Sequence, residues 1–370
     1  MVFISILLNL QNLVQKKVVL QLLNKSTNPL HSLGLVVLLL INFEPLSAQF
    51  DSNVSGVGTT SASFLEIGVS ARAMGMGGAY TSVIDGPAAL SYNPANIVWL
   101  NGTQVEFMHN QWFIDAYHDF VGVVIPLSGL RSSIGFQYVG LNYGDQPVRT
   151  INRPEGTGEL YSAGDYSLGI TLAKALTDRF SFGLSLKYIE ERIWNTRGSA
   201  QAIDMGIFYR SQLEGLQVGM SISNFGSEIK LIGRDLDTTV DPEDDNENVD
   251  NVPTTYQTDS YPLPILFRAG LSYKMKLGSV GNLLTTIDVL HPSNTTESIN
   301  IGSEFGFQNM FYIRAGYNNL FEENAENGVT IGGGLDMFFQ NDSWGLRLDY
   351  AYADWGMLGY SSRISLGLVF

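Results

Sequence analysis

The chain has 370 residues, enough for one large domain or two ordinary ones. Its formal charge is −15, with 21 Lys plus Arg against 36 Asp plus Glu, which excludes the basic face that a nucleic-acid binder needs. Charged residues are only 15% of the chain and cysteine is absent, which removes disulfides, thiolate metal sites, a Cys nucleophile and a lipidated Cys.

Residues 1–48 differ from the rest. Lys16, Lys17 and Lys25 precede the apolar run Leu33–Ile41, and small residues follow in LSAQ. Basic, apolar, then small is the order of a secretory signal peptide, with cleavage expected after Ala48. The stretch before Leu33 is long for a signal, which suggests an over-extended start. The apolar run is well short of the ~20 residues of a membrane-spanning helix, so an uncleaved anchor would have to recruit its neighbours. No later stretch approaches ~18 consecutive apolar residues, and no helical span is predicted after position 48.

Residues 49–103 hold a glycine cluster in ARAMGMGGAYTSVIDGPAALSYNPAN, residues 71–96. A dinucleotide-binding loop needs G-x-G-x-x-G between a strand and a helix. Gly75 and Gly77 fit, but the third position is Tyr80 and no βαβ pattern follows. The Gly-Lys-Ser/Thr of a phosphate-binding loop is also absent. The remaining reading is structural: glycines that permit positive φ and close backbone approach. Asp85-Gly86-Pro87 reads as a helix entry with Asp85 as cap, Pro87–Tyr92 as a short helix, and Asn93-Pro94 as its stop.

From about residue 104 the sequence alternates with period two. In Phe180–Tyr188, Phe180, Phe182, Leu184, Leu186 and Tyr188 share one face, and Ser181, Gly183, Ser185 and Lys187 the other. Fourteen such segments are predicted: 104–113, 118–127, 131–143, 160–175, 179–193, 199–211, 216–231, 262–276, 281–291, 297–308, 310–320, 327–340, 344–355 and 361–370. Connections after even-numbered segments are tight, as at 128–130, 176–178 and 341–343, and those after odd-numbered ones mostly longer, as at 144–159, 232–261 and 321–326. Alternation alone also suits a soluble β-sandwich. An export signal, many long strands, and short and long connections in register select an antiparallel outer-membrane β-barrel with its termini on the periplasmic side. Backbone groups in lipid must all be paired, so the first strand should meet the last. Fourteen strands enclose more space than their side chains fill, so the lumen should hold water, a ligand or a plug, and residues 49–103 are the plug candidate.

The final strand carries Ile364, Leu366, Leu368 and Phe370 on one face, ending on an aromatic residue, which looks like the signal read by the barrel-assembly machinery. Lys187, Arg268, Lys274, Arg314, Arg347 and Asp349 fall on polar faces and should point into the lumen, to pair across strands, to anchor the plug or to meet an anionic headgroup. His31, His109, His118 and His291 show no metal-ligand spacing and read as solvated or interfacial. The carboxylates Asp235, Asp237, Asp241, Glu243, Asp244, Asp245, Glu247 and Asp250 lack the Ca²⁺-loop pattern and read as a solvated loop, the longest connection and a candidate partner contact. No catalytic constellation, cofactor motif or metal site is evident, so a non-enzyme is expected.

Residues 64–97, FLEIGVSARAMGMGGAYTSVIDGPAALSYNPANI, resemble the N-terminal signature of the PorV/PorQ family, relatives of the FadL-type barrels. The matching positions are Arg72, Gly75, Gly77, Gly78, Ala79, Asp85, Asn93, Pro94 and Ala95. The resemblance implies a fourteen-stranded outer-membrane barrel in lipid with an N-terminal plug or hatch. It implies a partner of the type IX secretion translocon or of cargo C-terminal domains. The alternative is a FadL-like channel for long-chain fatty acids or other hydrophobic small molecules through a kinked, laterally open wall. Transport calls for an apolar pocket in the lumen beside the plug.

Overall fold

The computed structural model describes residues 56–241, 251–322, 325, 328–339 and 344–370. The expected signal peptide at 1–48 and the carboxylates Glu243, Asp244, Asp245, Glu247 and Asp250 lie outside the described residues. Among the described residues no helix is long and apolar enough to cross a membrane.

The architecture is one closed antiparallel barrel of fourteen strands. They are β1 (Gln104–Gln111), β2 (Tyr117–Leu127), β3 (Ser132–Asn142), β4 (Ala163–Ala175), β5 (Phe180–Ile193), β6 (Thr196–Arg210) and β7 (Leu216–Gly226), then β8 (Leu266–Lys276), β9 (Gly281–Pro292), β10 (Ser298–Phe307), β11 (Phe311–Leu320), β12 (Val329–Phe339), β13 (Trp344–Asp354) and β14 (Tyr360–Val369). Each pairs with its neighbour in sequence, and β14 closes on β1 from Gln104↔Val369 to Gln111↔Ser362.

The period-two pattern dictates the faces. Phe182, Leu184, Leu186 and Tyr188 of β5 are exposed outward, while Ser181, Ser185 and Lys187 are buried inward. Ile364, Leu366 and Phe370 are exposed likewise, as are Phe267 and Leu271 of β8. A continuous outward band of this kind suits lipid rather than water.

Strand limits move where local chemistry requires it. β8 starts at Leu266 rather than 262, because Pro262 and Pro264 lack the N–H a ladder needs. The β5–β6 connection is only Trp194-Asn195, not a long loop, and Trp194 adopts φ 52. Asp235, from the β7–β8 connection, accepts from the Asn195 backbone and side-chain nitrogens, both at 3.0 Å. Asp237 accepts from Thr255 Oγ1 at 2.9 Å. Asp235 thus ties the long connection to the β5–β6 turn and Asp237 bridges within the connection, both in exposed positions.

Residues 56–103 pack against the inward faces of strands around the barrel. Hypothetical β-carbons on inward glycines of β3, β5, β6, β7, β8, β10, β11 and β12 would run into this segment. A chain that touches the inner face of so many strands of a closed barrel lies within it. The segment contains α1 (Ala71–Gly75), capped by Ser70, and α2 (Ala89–Tyr92). Asn93 ends α2, as expected, and then caps a 3-10 helix at Pro94–Trp99. Asn93-Pro94 is thus a junction between two helices, because Pro94 is preorganised for a first turn. Asp85 is not the helix cap. Glu106 of β1 takes the Ala88 N–H at 3.0 Å, and Asp85 is occupied by arginines.

Candidate functional site

The glycine cluster is where the segment's backbone meets the wall. Gly77 and Gly78 adopt φ 63 and 76. A β-carbon on Gly77 would lie 2.6 Å from Tyr317 O and 2.7 Å from Ile301 O. The wall answers with glycines of its own: Gly302, Gly316 and Gly332 face Met76, Gly77 and Gly75, with the Gly75 β-carbon position 3.1 Å from Gly332 Cα. Small residues on both sides bring two backbones into direct contact. Sequence reading found the cluster but not its complement, since isolated strand glycines on three strands carry no local signature.

Beside this contact lies a buried ion-pair network. Arg72 bridges Asp85 and, at 2.6 Å, Glu304 of β10. Glu304 and Asp349 each hold Arg314 at 2.6 Å. Arg347 reaches Asp85 at 2.9 Å and Asp336 at 3.5 Å. Arg72 and Arg314 both lie over the Tyr312 ring, at 5.8 and 5.4 Å. Burial raises the Asp85 carboxyl, but Arg72 and Arg347 outweigh it and hold the group well below the usual carboxylate range. Two groups of candidate residues read separately from sequence, in the segment and in the lumen, are thus one structure. Sequence reading missed Glu304, Asp336, Glu106 and Asp288. Asp288 accepts the Tyr80 and Thr81 N–H groups at 2.8 and 2.9 Å. Their inward parity within the strands was the available signal.

The other lumen candidates stand on the opposite wall. Lys187 pairs with Asp204 at 2.9 Å and with Asn224 Oδ1. Arg268 donates to Ser223 Oγ at 3.3 Å and lies over Tyr92, 5.6 Å from its centroid. Lys274 shares their face but is exposed, close to the turn that ends β8. Asn93 donates to the carbonyls of Thr81 and Ile207, both at 2.9 Å, and Pro94 packs against Gly183 of β5.

This second wall is irregular. The β6–β7 register shifts between Ile203 and Met205. Asn224 in β7 takes φ 64, a value Asn tolerates. Its N–H bonds Asp204 at 2.7 Å and its amide bonds Pro264 O at 2.9 Å. A β-bulge of this kind bends a strand and breaks its ladder. Pairing of β7 with β8 stops at Ser223↔Leu266, and among the described residues the segments that follow β7 and precede β8 pair next at Ile229↔Tyr261.

Across the same wall one register row reads Gln137, Gly169, Lys187, Ala202, Gly226. Three of these five inward positions have little or no side chain, so the wall is thin there. Outside it lies a recess of about 1080 Å³, lined largely by apolar residues including Phe136, Leu168, Ile170, Leu186, Ile203 and Phe225. Inside it lies a space of about 30 Å³ beside Leu65, Ile67, Val69 and Tyr92. Gln137 and Lys187 line both. Gln137 is held from within by Ser91 Oγ at 2.7 Å. The roomy apolar cavity therefore belongs to the wall, not to the lumen beside the segment, where the space near Asp85 and Arg347 is about 10 Å³.

No protein-family model matches the chain, and no curated protein matches it. Solved structures do. The chain is similar to the CymD monoaromatic hydrocarbon channel, at 13% identity and a TM-score of 0.51, over 81% of this chain and 96% of that one. It is similar to the Pseudomonas putida toluene transporter TodX, at 13% identity and a TM-score of 0.50, over 80% and 97%. A TodX deltaS2S3 mutant monoaromatic hydrocarbon channel aligns at 16% identity and a TM-score of 0.50, over 82% and 97%. Identities this low show a shared barrel fold and nothing finer.

Proposed function

We propose that this chain is an outer-membrane channel for hydrophobic small molecules, with the recess over β3–β7 as its port in the wall and residues 56–103 as its plug. The observation that carries this reading is the thin register row. An apolar recess outside and a small space inside share Gln137 and Lys187, so only two side chains and a side-chain-poor backbone stand between them. The recess is large enough for a drug-sized apolar ligand. The fold likeness to a monoaromatic hydrocarbon channel and a toluene transporter adds support by analogy. These features favour the channel over the secretion partner implied by the PorV/PorQ resemblance.

The arrangement described is the closed one. Passage requires Gln137 to leave Ser91 and Lys187 to swing from Asp204 and Asn224, which joins recess to interior. The start of the first strand, at Thr103, and the end of the last, at Phe370, meet on the short-turn side, which we place in the periplasm. The outward Ile364, Leu366, Leu368 and Phe370 would serve recognition by the assembly machinery.

The test is uptake of radiolabelled toluene and of a labelled long-chain fatty acid by proteoliposomes holding the full chain. Wild-type protein should speed uptake of one or both above protein-free vesicles. Ala202→Trp should abolish the gain by filling the thin row, whereas Val289→Trp, on the outer face of β9, should keep it. Uptake no faster than in protein-free vesicles, with the barrel shown folded by heat-modifiable mobility, would overturn the reading.

A further inference from the structure

A second polar cluster lies at the closing seam, away from the thin wall. Register sets Arg363 of β14 opposite Asn110 of β1, and Asn110 opposite His118 of β2. All three are inward and at most 1% exposed. His118 is thus a buried residue, not the solvated or interfacial one its sequence position suggested. None of the three guanidinium nitrogens, neither amide atom of Asn110 and neither ring nitrogen of His118 has a hydrogen-bond partner among the described residues. The row continues into apolar side chains, Ala351 beyond Arg363 and Leu141 beyond His118. Trp112 stands over Arg363, its ring centroid 6.0 Å from the guanidinium carbon. Gly68 of the segment closes the inner side. A β-carbon there would lie 3.1 Å from Arg363 Nη1 and 2.6 Å from the Tyr92 hydroxyl.

The contrast with the other buried arginines is sharp. Arg72, Arg314 and Arg347 each hold two carboxylates, and Arg268, which holds none, still bonds Ser223 Oγ and lies over Tyr92. Burying a guanidinium without a counter-charge is strongly unfavourable, and an unpaired amide and imidazole beside it add to the cost. What the row offers is donors: the guanidinium fork, the Asn110 amide and one imidazole N–H. Unpartnered donors adjacent in one register row, with apolar side chains beyond them, match an acceptor that carries negative charge and little bulk.

We propose that Arg363, Asn110 and His118 form a binding site for one small monovalent anion, either a free ion or the carboxylate head of a bound molecule. The assignment stands apart from the channel reading, because it rests on the seam and not on the recess.

The test uses the full chain, purified and folded in detergent, with sodium bromide, sodium acetate and sodium benzoate as separate probes. Each is titrated while the heat-modifiability midpoint and Trp fluorescence are followed, and crystals grown with bromide are examined for anomalous signal. The proposal expects a saturable rise in the midpoint for at least one probe, lost in Arg363→Gln. Arg363→Lys keeps the charge without the fork, so it should fold and bind more weakly, which covers the case in which the Gln variant does not fold. Trp112→Phe should lose the fluorescence response and keep the midpoint shift. A bromide peak in the row, with response to acetate as well, identifies a free small anion. A response to benzoate alone identifies the head of a larger acid. Midpoint shifts equal in wild type and the Arg363 variants, or water alone in the row at saturating bromide with no response to either carboxylate, would overturn it. Uptake assays play no part in the outcome, so failure here and failure of the channel reading are separable.

Discussion

The walls built by β10–β13 and by β3–β7 both pack glycines against the same N-terminal segment, but only the first adds ion pairs to it. On the first, Gly75 and Gly77 lie backbone to backbone against Gly332 and Gly316, and Arg72 and Asp85 are locked to Glu304 and Arg347. On the second, the contact at the thin row is a single Ser91–Gln137 bond, and the strands carry a bulge and a broken seam. The segment is held on both sides, by ion pairs on the first wall and on the second by hydrogen bonds from Asn93, Ser181 and Ser221 and by close packing at Gly183 and Gly206, so its contact thins only at that one row. The difference teaches that the ion pairs and the thin row lie on separate walls: the charged network faces β10–β13, and the row poorest in side chains, where we propose the port, crosses β3–β7.

The largest expected effect comes from breaking the pin. Asp85→Ala leaves Arg72 and Arg347 without their shared carboxylate, and removing one partner of a buried pair costs about 3–5 kcal/mol. The variant's unfolding midpoint should fall accordingly, and its conductance in planar bilayers should rise as the segment loosens. A stable, silent variant would show that the network does not anchor the segment. Next, Gly77→Ala sets a β-carbon against two wall carbonyls at positive φ, and should cost about 1–3 kcal/mol by denaturant titration. The matching change on the thin wall, Gly169→Ala, meets only the Gln137 side chain, its β-carbon position 2.8 Å from Gln137 Cγ. It should cost under ~1 kcal/mol. Equal losses at the two glycines would erase the distinction between the walls.

The smallest effect concerns pH. Because Asp85 is held low, its stabilising contribution is complete above the unfolded carboxylate value, about 3.9, and is lost as pH falls through its own lower value. The stability gap between wild type and Asp85→Asn should therefore stay constant from pH 8 to pH 5 and close only in strong acid. A gap that shrinks already between pH 7 and pH 5 would mean that Asp85 is not held by both arginines.

Much of this was legible in the residues. FSFGLSLKY shows both faces of β5 without any tertiary knowledge, because each face meets one solvent throughout and the alternation is unbroken. Arg314, Arg347 and Asp349 were placed inward by parity alone. Their partners were not, because Glu304, Asp336 and Asp85 lie on other strands or in the segment, and no spacing along the chain encodes that meeting. Asp85 as a helix cap was a sound local reading that lost to two arginines and to Glu106. His118 was misjudged for the same reason: proximity to a strand end says nothing about whether a segment of the same chain covers it.

By itself, then, the sequence determined the strand count, the inward and outward faces, the closure of the last strand on the first, and the glycine cluster as a place of close approach. Those properties follow from periodicity, from the need to pair every backbone group in lipid, and from glycine's missing β-carbon. Only the tertiary structure decided which glycines meet, which arginines are paired, where the wall thins and that Arg363 stands without a counter-charge. Each of these depends on strand register and on how the segment is threaded, which bring together residues hundreds of positions apart.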